Sequence, residues 1–581
     1  MTGSAIKGDG GASQARLEHA EVSTERSDYK LLRICCWCVA LVLGAAQAWA
    51  TRFTMNPDGV SYLDIGDAYW RGDWHNAINA YWSPLYSWIL GFLLKVLKPP
   101  PYWEYPLVHL VNFLIYVATL ACFEFFLSSF ITHQKGRDLE LAAQGEMGIP
   151  EWGWRVLGYS LFLFSSLVMI GLHLVTPDLC VAGSVYLAVA LILKIRHSRA
   201  TRGTYLALGV ILGVGYLAKA AMFPLGIILV VTAFLAGGRT KKSAQDAALT
   251  MILFLAVGSP LIAALSLKQG RLTFSNVGHI AYEVYVDGID QFIPEGSGLV
   301  NPARRIFDHP ATYEFGEPIR GTYPLWYDPD YWHAGLKPFF RLSGERQSIQ
   351  TALLLSLLLV GGLSFQLVVT TGLLVLFLVA PRPSLCFRRA ADYSYLAVPM
   401  IAAFLMYAVV YFEYRYIAPF VCLGWIMLFS GVELPASKGL RILVWSVVLI
   451  VAMQQAATGA AASKRVITGP FVRIPIYSRL ALALEQHGLR VNDKIALLSE
   501  QPWGEGGPFV ARLLLLRVVA QVNKPLEFWQ ASTETQSQLL MALKGTGAKA
   551  VLAWRGGPSS TGWQQLEGTN YFVYMFPPDS H

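Results

Sequence analysis

The stretch Asn56 to Trp88, NPDGVSYLDIGDAYWRGDWHNAINAYWSPLYSW, stands directly after the first long apolar segment, and its reading decides how the rest of the chain is read. Asp58, Asp64, Asp67 and Asp73 share it with Arg71, His75 and many aromatic residues. A plain connection has no use for that mixture. Carboxylates framed by Trp and Tyr suit an aqueous site at the edge of a bilayer, because amphipathic rings settle at headgroup level. An interfacial loop with merely solvated charges has the same composition, so the rest of the chain must discriminate.

Working outward, 54% of the 581 residues are hydrophobic and only 14% charged, with a mean hydropathy of +0.43. That describes a polytopic membrane protein. The formal charge of +8 falls in short Lys/Arg clusters between apolar segments, which is the positive-inside pattern and not a nucleic-acid-binding face. The seven Cys give neither a disulfide framework nor a metal spacing. Residues 1–30 are polar and read as a disordered cytoplasmic tail, and Ile34 to Ala50 reads as a retained anchor.

A crossing takes roughly 20 apolar residues, and about eleven such segments can be drawn within 31–459, which predicts an all-α membrane domain. They are 31–50, 105–131, 154–173, 178–194, 204–220, 222–237, 247–267, 352–380, 393–412, 416–432 and 441–459. Pro84 to Leu97 is short and reads as an interfacial or re-entrant helix. Segment 349–380 is long, and one tilted crossing is preferred over two. With the N-terminus cytoplasmic, the clusters at Lys135/Arg137, Lys194 to Arg202, Arg239 to Lys242, Arg382 to Arg389 and Lys438/Arg441 all fall inside. Loops 51–104 and 268–348, the Thr176-Pro177-Asp178 turn, the turn at Lys219, the Glu413-Tyr414-Arg415 corner and everything after 460 then lie outside.

The tail 460–581 alternates helical stretches (477–487, 508–522, 533–545) with β-like runs (KIALLSE, PLEFW, AKAVLAW, YFVYMF). It predicts a small extracytoplasmic α/β accessory domain, separable from the membrane part.

Asp58 sits in Pro57-Asp58-Gly59, where a turn would present its carboxylate near the membrane plane; it fits equally as a helix cap. Asp64 and Asp67 share a helix face. Asp178, at the start of a segment, has the same two readings as Asp58. Lys219 and Arg415 interrupt apolar runs at the outer boundary, where a cation either snorkels or serves an anionic lipid headgroup.

In their order along the chain, Pro57-Asp58-Gly59 with Tyr62-Leu63 and Trp82-Ser83-Pro84-Leu85-Tyr86, Thr176-Pro177-Asp178, Gly215-Tyr216-Leu217-Ala218-Lys219 and Arg415-Tyr416 resemble the C-type integral-membrane glycosyltransferases. The nearest pattern is that of the protein O-mannosyltransferase and aminoarabinose transferase group with its bacterial homologues, over roughly residues 31–432. The resemblance implies a many-helix (GT-C) fold with a catalytic first external loop and a sugar donor on a polyprenyl phosphate. It makes Asp58 the catalytic acid of loop one, Asp178 that of the second loop, and Lys219 and Arg415 the cations near the donor phosphate. One departure is clear. The mannosyltransferases carry an Asp-Glu pair, whereas Gly59 follows Asp58 here.

The chemistry suits these types: a carboxylate takes the acceptor's proton, and fixed cations receive the charge of the departing phosphate. Asp64, Tyr62, Trp82, Tyr86 and His279 join as candidate donor or substrate contacts, and Trp82, Tyr86, Tyr282, Trp326 and Trp332 supply rings able to stack on a sugar. No cofactor is required by the sequence, although carboxylates are able to hold a divalent metal ion. The expected partners are a polyprenyl-phosphate sugar donor, membrane lipids and a glycan, lipid or protein acceptor at the bacterial inner membrane, with the site on the extracytoplasmic side. A polysaccharide polymerase or ligase, or a transporter or flippase for a lipid-linked sugar, remain the alternatives.

Overall fold

Long apolar runs become long helices even where a Pro stands inside them, as Pro106 does in Pro101–Ala143 and Pro260 in Lys241–Gln269, and these build the body of the protein. The computed structural model describes residues 10–197, 200–295, 298–316, 320–361, 364–380, 386, 392–468, 475–555, 562–566 and 568–577. Among them six helices are long and apolar enough to cross a membrane: Tyr29–Ala50, Pro101–Ala143, Glu151–Ile170, Asp178–Arg196, Lys241–Gln269 and Lys438–Arg465. Shorter apolar helices at Arg202–Ala218, Met222–Ala236, Leu367–Val379, Tyr395–Ala408 and Tyr414–Phe429 account for the remaining expected segments. Pro84–Leu97 is a separate short helix packed on the helix Pro57–Arg71.

Two expectations about helices are refined. The first helix already begins at Gly10, so the described part of the 1–30 tail is helical; its run SQARLEHAEVSTER is rich in good helix formers. Segment 349–380 is built from two helices, Leu342–Gly361 and Ser364–Val379, and the join at 362–363 lies outside the described residues. Its 32 residues exceed what one crossing consumes. Ser348 donates to the carbonyls of Ala408 and Val410, whereas Cys386 beyond the second helix reaches the Glu433 carbonyl. At that far end Arg137 pairs with Glu433 at 2.6 Å and Gln134 with Tyr393. The segment therefore makes a net single traverse from one end of the bundle to the other.

The tail forms an α/β layer whose sheet borrows strands from the long loop. Its seven strands run Arg304–Phe307, Thr312–Glu314, Arg517–Val522, Lys494–Leu498, Ala550–Trp554, Tyr571–Met575 and Trp563–Gln565 from edge to edge. The three central strands are parallel, and the long loop joins through the antiparallel pairing of Thr312–Glu314 with Ala520–Val522. The sheet of the tail is thus continuous with the long loop. Two local readings change. Residues 508–522 split into the helix Gly507–Leu513 and the buried strand Arg517–Val522, because Leu515 takes a positive φ that a helix cannot continue through. PLEFW is a helical turn, Pro525–Gln530, with Pro at a first-turn position that suits it.

One buried arginine fixes this layer to loop one. Arg512 Nη1 lies 2.7 Å from Asp64 and 2.6 Å from Asp67, and its Nε lies 2.9 Å from Glu104.

Candidate active site

Helix breaks at one end of the bundle create a cavity of about 430 Å³. Asp58 enters it from the first turn of Pro57–Arg71. The N-cap there is Asn56, whose side chain accepts from the Val175 N–H at 2.8 Å. Asp58 is therefore not the cap, and the start of loop one is tied to the segment that carries Asp178. Gly59 allows this close approach, since a Cβ on it would lie 2.5 Å from Met55 Sδ and 2.8 Å from Val175 Cβ. Position 59 faces packed apolar groups, so a carboxylate side chain has no room there.

Asp178 opens the helix Asp178–Arg196 without capping it. Its carboxylate accepts from Lys219 Nζ at 2.6 Å and Thr176 Oγ1 at 2.9 Å. Lys219 is delivered by the end of Arg202–Ala218, where the backbone turns extended before Met222–Ala236 begins. Its ammonium sits 3.5 Å from the Tyr416 ring centroid, a cation–π contact. Arg415, in the first turn of Tyr414–Phe429, bridges the two acids: Nη2 is 3.4 Å from Asp58 Oδ2, and Nη1 is 3.7 Å from Asp178 Oδ2.

The two carboxylates are therefore unequal. Asp178 accepts two short bonds, whereas Asp58 has the longer contacts to Arg415 and the approach of the Trp326 side chain. Burial is the larger influence on Asp58 and raises its pKa above the usual carboxylate value, with Arg415 and Lys219 opposing. A carboxyl of this kind is a better proton acceptor than an ordinary surface aspartate once ionised.

Tyr62, Trp82 and His279 line the same cavity, together with Tyr81, Tyr285, Trp326, Tyr407, Tyr411 and Tyr416. A buried donor of a residue lining it, Arg415 Nε, has no hydrogen-bond partner among the described residues. Unpaired donors are costly in a buried site unless a ligand meets them.

Four expected contacts lie elsewhere. Asp64 is withdrawn from the cavity, because Thr322 donates to it through backbone and hydroxyl and Arg512 pairs with it. Tyr86 stands behind Tyr62, in edge-on contact at 5.2 Å, and donates to Asn112, which in turn holds the Leu174 carbonyl. Its role is to support the turn before Asp178. Tyr282 bonds Glu345, and Trp332 is buried against Pro324, so of the stacking candidates only Trp82 and Trp326 reach the cavity. No group of three or more His, Cys, Asp or Glu able to hold a metal gathers among the described residues. Arg415 fills the place between Asp58 and Asp178 that a bridging ion would need.

No family model and no curated protein matches the sequence. Solved structures do. ArnT from Cupriavidus metallidurans bound to undecaprenyl phosphate superposes with a TM-score of 0.51 over 93% of this chain and 97% of that one, at 14% identity. Its apo form gives 0.50 over 92% and 97%, also at 14% identity. These likenesses span the membrane domain and the tail alike, and the chain has the fold of the C-type integral-membrane glycosyltransferases.

Proposed function

We propose that this protein is a glycosyltransferase of the bacterial inner membrane that moves a hexosyl or pentosyl group from a polyprenyl-phosphate-linked donor to a lipid, glycan or protein acceptor on the extracytoplasmic side. The observation that carries the reading is the convergence of Asp58, Asp178, Lys219 and Arg415, drawn from four distant parts of the chain, on one cavity at an end of the bundle. A neighbour of the same fold is a structure bound to undecaprenyl phosphate, which supports a lipid-linked donor.

In this reading the donor phosphate meets Lys219 and Arg415 while its tail stays in the bilayer. The phosphate draws the Arg415 guanidinium from its long contact with Asp58, which frees that carboxylate. An acceptor O–H or N–H then attacks the anomeric carbon. Its proton passes to Asp58, the bond from the anomeric carbon to the phosphate oxygen breaks, and the phosphate leaves with the electron pair. Lys219 and Arg415 receive that charge where it develops. Asp178 keeps the Lys219 ammonium aimed, and the aromatic wall gives the sugar faces on which to stack.

The test is release of free polyprenyl phosphate from a panel of polyprenyl-phosphate sugars by the purified protein in lipid nanodiscs. Turnover by the wild type that Asp58→Asn abolishes supports the reading. Failure of undecaprenyl phosphate to bind, with no donor turned over, overturns it.

A further inference from the structure

Behind the cavity lies a group that the reaction as described does not use. The short helix Val277–Tyr285 carries His279 and Glu283 one turn apart. His279 lines the cavity and is 42% exposed, whereas the Glu283 side chain is only 1% exposed. Glu283 Oε1 lies 3.3 Å from His279 Nδ1, and Oε2 lies 3.3 Å from Nδ1 of His333, itself almost fully buried. Both contacts are close approaches: neither Glu283 oxygen, and neither ring nitrogen of His333, makes a hydrogen bond among the described residues. His333 is held by its own short turn, where its N–H bonds the Pro329 carbonyl and the neighbouring Trp332 indole bonds the Pro324 carbonyl.

A carboxylate is expensive to bury, and two imidazoles are poor compensation if its purpose were only to stabilise the loop. The arrangement has a different use. A carboxylate that accepts from one ring nitrogen of a histidine fixes both the orientation of the ring and the position of its proton. At 3.3 Å a small turn of the His279 ring gives Nδ1–H to Glu283, which leaves Nε2, with its lone pair, for the cavity.

We infer that Glu283, braced from behind by His333, is a positioning residue that holds His279 with Nε2 as a hydrogen-bond acceptor for a hydroxyl of the sugar or acceptor. This rests on the glycosyl-transfer reading above and adds to it a group that selects for a correctly placed hydroxyl. The two anion-binding cations and this neutral acceptor lie on the same cavity, so phosphate and hydroxyl are recognised by separate parts of the wall.

The test uses the full chain with ¹⁵N-labelled histidine in nanodiscs, the His279 signal being identified by its loss in His279→Gln. In the wild type His279 should be the Nδ1–H tautomer, and Glu283→Gln should remove that bias. In parallel, Glu283→Gln and His279→Gln should each lower kcat/KM about 10–100-fold, and the double variant should fall no further than His279→Gln alone, while undecaprenyl phosphate binding is unchanged. A His279 tautomer that ignores Glu283→Gln, or losses that multiply in the double variant, overturns the inference. If Glu283→Gln does not fold, Glu283→Asp keeps the charge but withdraws it, and the same two readouts apply. A tautomer that responds as expected in a protein that turns over no donor separates the outcomes: the coupling of Glu283 to His279 stands and the glycosyl-transfer reading falls.

Discussion

Asp58 and Asp178 are the same residue type in the same cavity, and their neighbours separate their roles. Asp178 is consumed by Lys219 and Thr176, while Asp58 is held loosely. Asp58→Asn keeps size and polarity but cannot accept a proton, so transfer should fall by about 10²-fold or more while undecaprenyl phosphate still binds; near-normal turnover would remove it as the base. Because Asp58 acts when deprotonated and burial lifts its pKa, activity should be lost as pH falls through that raised value. The acid limb of the kcat profile should therefore lie above the ordinary carboxylate range of about 4. Arg415→Ala takes away a charge that favours the ionised form, so it should move the limb to still higher pH. The same substitution, or Lys219→Ala, should weaken undecaprenyl phosphate binding in a titration, since both cations meet the phosphate before and during transfer. These four residues were legible in the sequence because ionisable groups at the ends of apolar segments are costly and rarely idle. Asp64 was not distinguishable from them, because what claims it is Arg512, 448 residues away.

The element that presents Asp58 is the helix Pro57–Arg71, and its placement depends on how closely it lies against Pro84–Leu97. Backbones touch there: a Cβ on Gly66 would meet the Ser87 carbonyl oxygen at 2.6 Å, and one on Gly91 would meet Gly66 backbone atoms at 2.7 Å. Backbone cannot swing aside as a side chain can. Gly91→Ala should therefore cost about 1–3 kcal/mol by overpacking, read as a lower melting temperature in detergent, and should reduce turnover by shifting Asp58. A Gly91→Ala protein as stable and active as the wild type would show that the two helices slide freely. The existence of both helices could be read from SYLDIGDAYWR and LYSWILGFLLKVL, but their contact could not, since two glycines 25 positions apart in a row carry no signal of meeting. The long loop was similarly opaque. RRIF and TYE are too short to read as strands; they pair with each other, and TYE joins both to the sheet along Arg517–Val522.

At the scale of the whole molecule, the membrane body and the outer layer are joined by charge as well as by the shared sheet. Hydropathy made the helical body visible and alternation made the α/β tail visible, because both are local patterns. Their union is non-local. Arg512 is completely enclosed and faces Asp64, Asp67 and Glu104, which belong to the loop-one helix and to the long helix Pro101–Ala143. Burying one guanidinium among three carboxylates is tolerable only while all the partners are present. Arg512→Ala leaves the acids facing one another without a cation, and a loss of about 3–5 kcal/mol is expected. Arg512→Lys should recover only part of it, since an ammonium cannot reproduce the fork that serves Asp64 and Glu104 through separate nitrogens. Because Asp64 lies in the helix that begins with Asp58, the damage should reach the site: limited proteolysis should cut the tail and loop 51–104 together, and transfer should fall. Deleting 470–581 removes Arg512 and the strand that Thr312–Glu314 pairs with, so it should destabilise loop one and the long loop alike. A truncated protein that kept the wild-type melting temperature and undecaprenyl phosphate binding would mean that the outer layer rests on the membrane body without holding its catalytic loop in place.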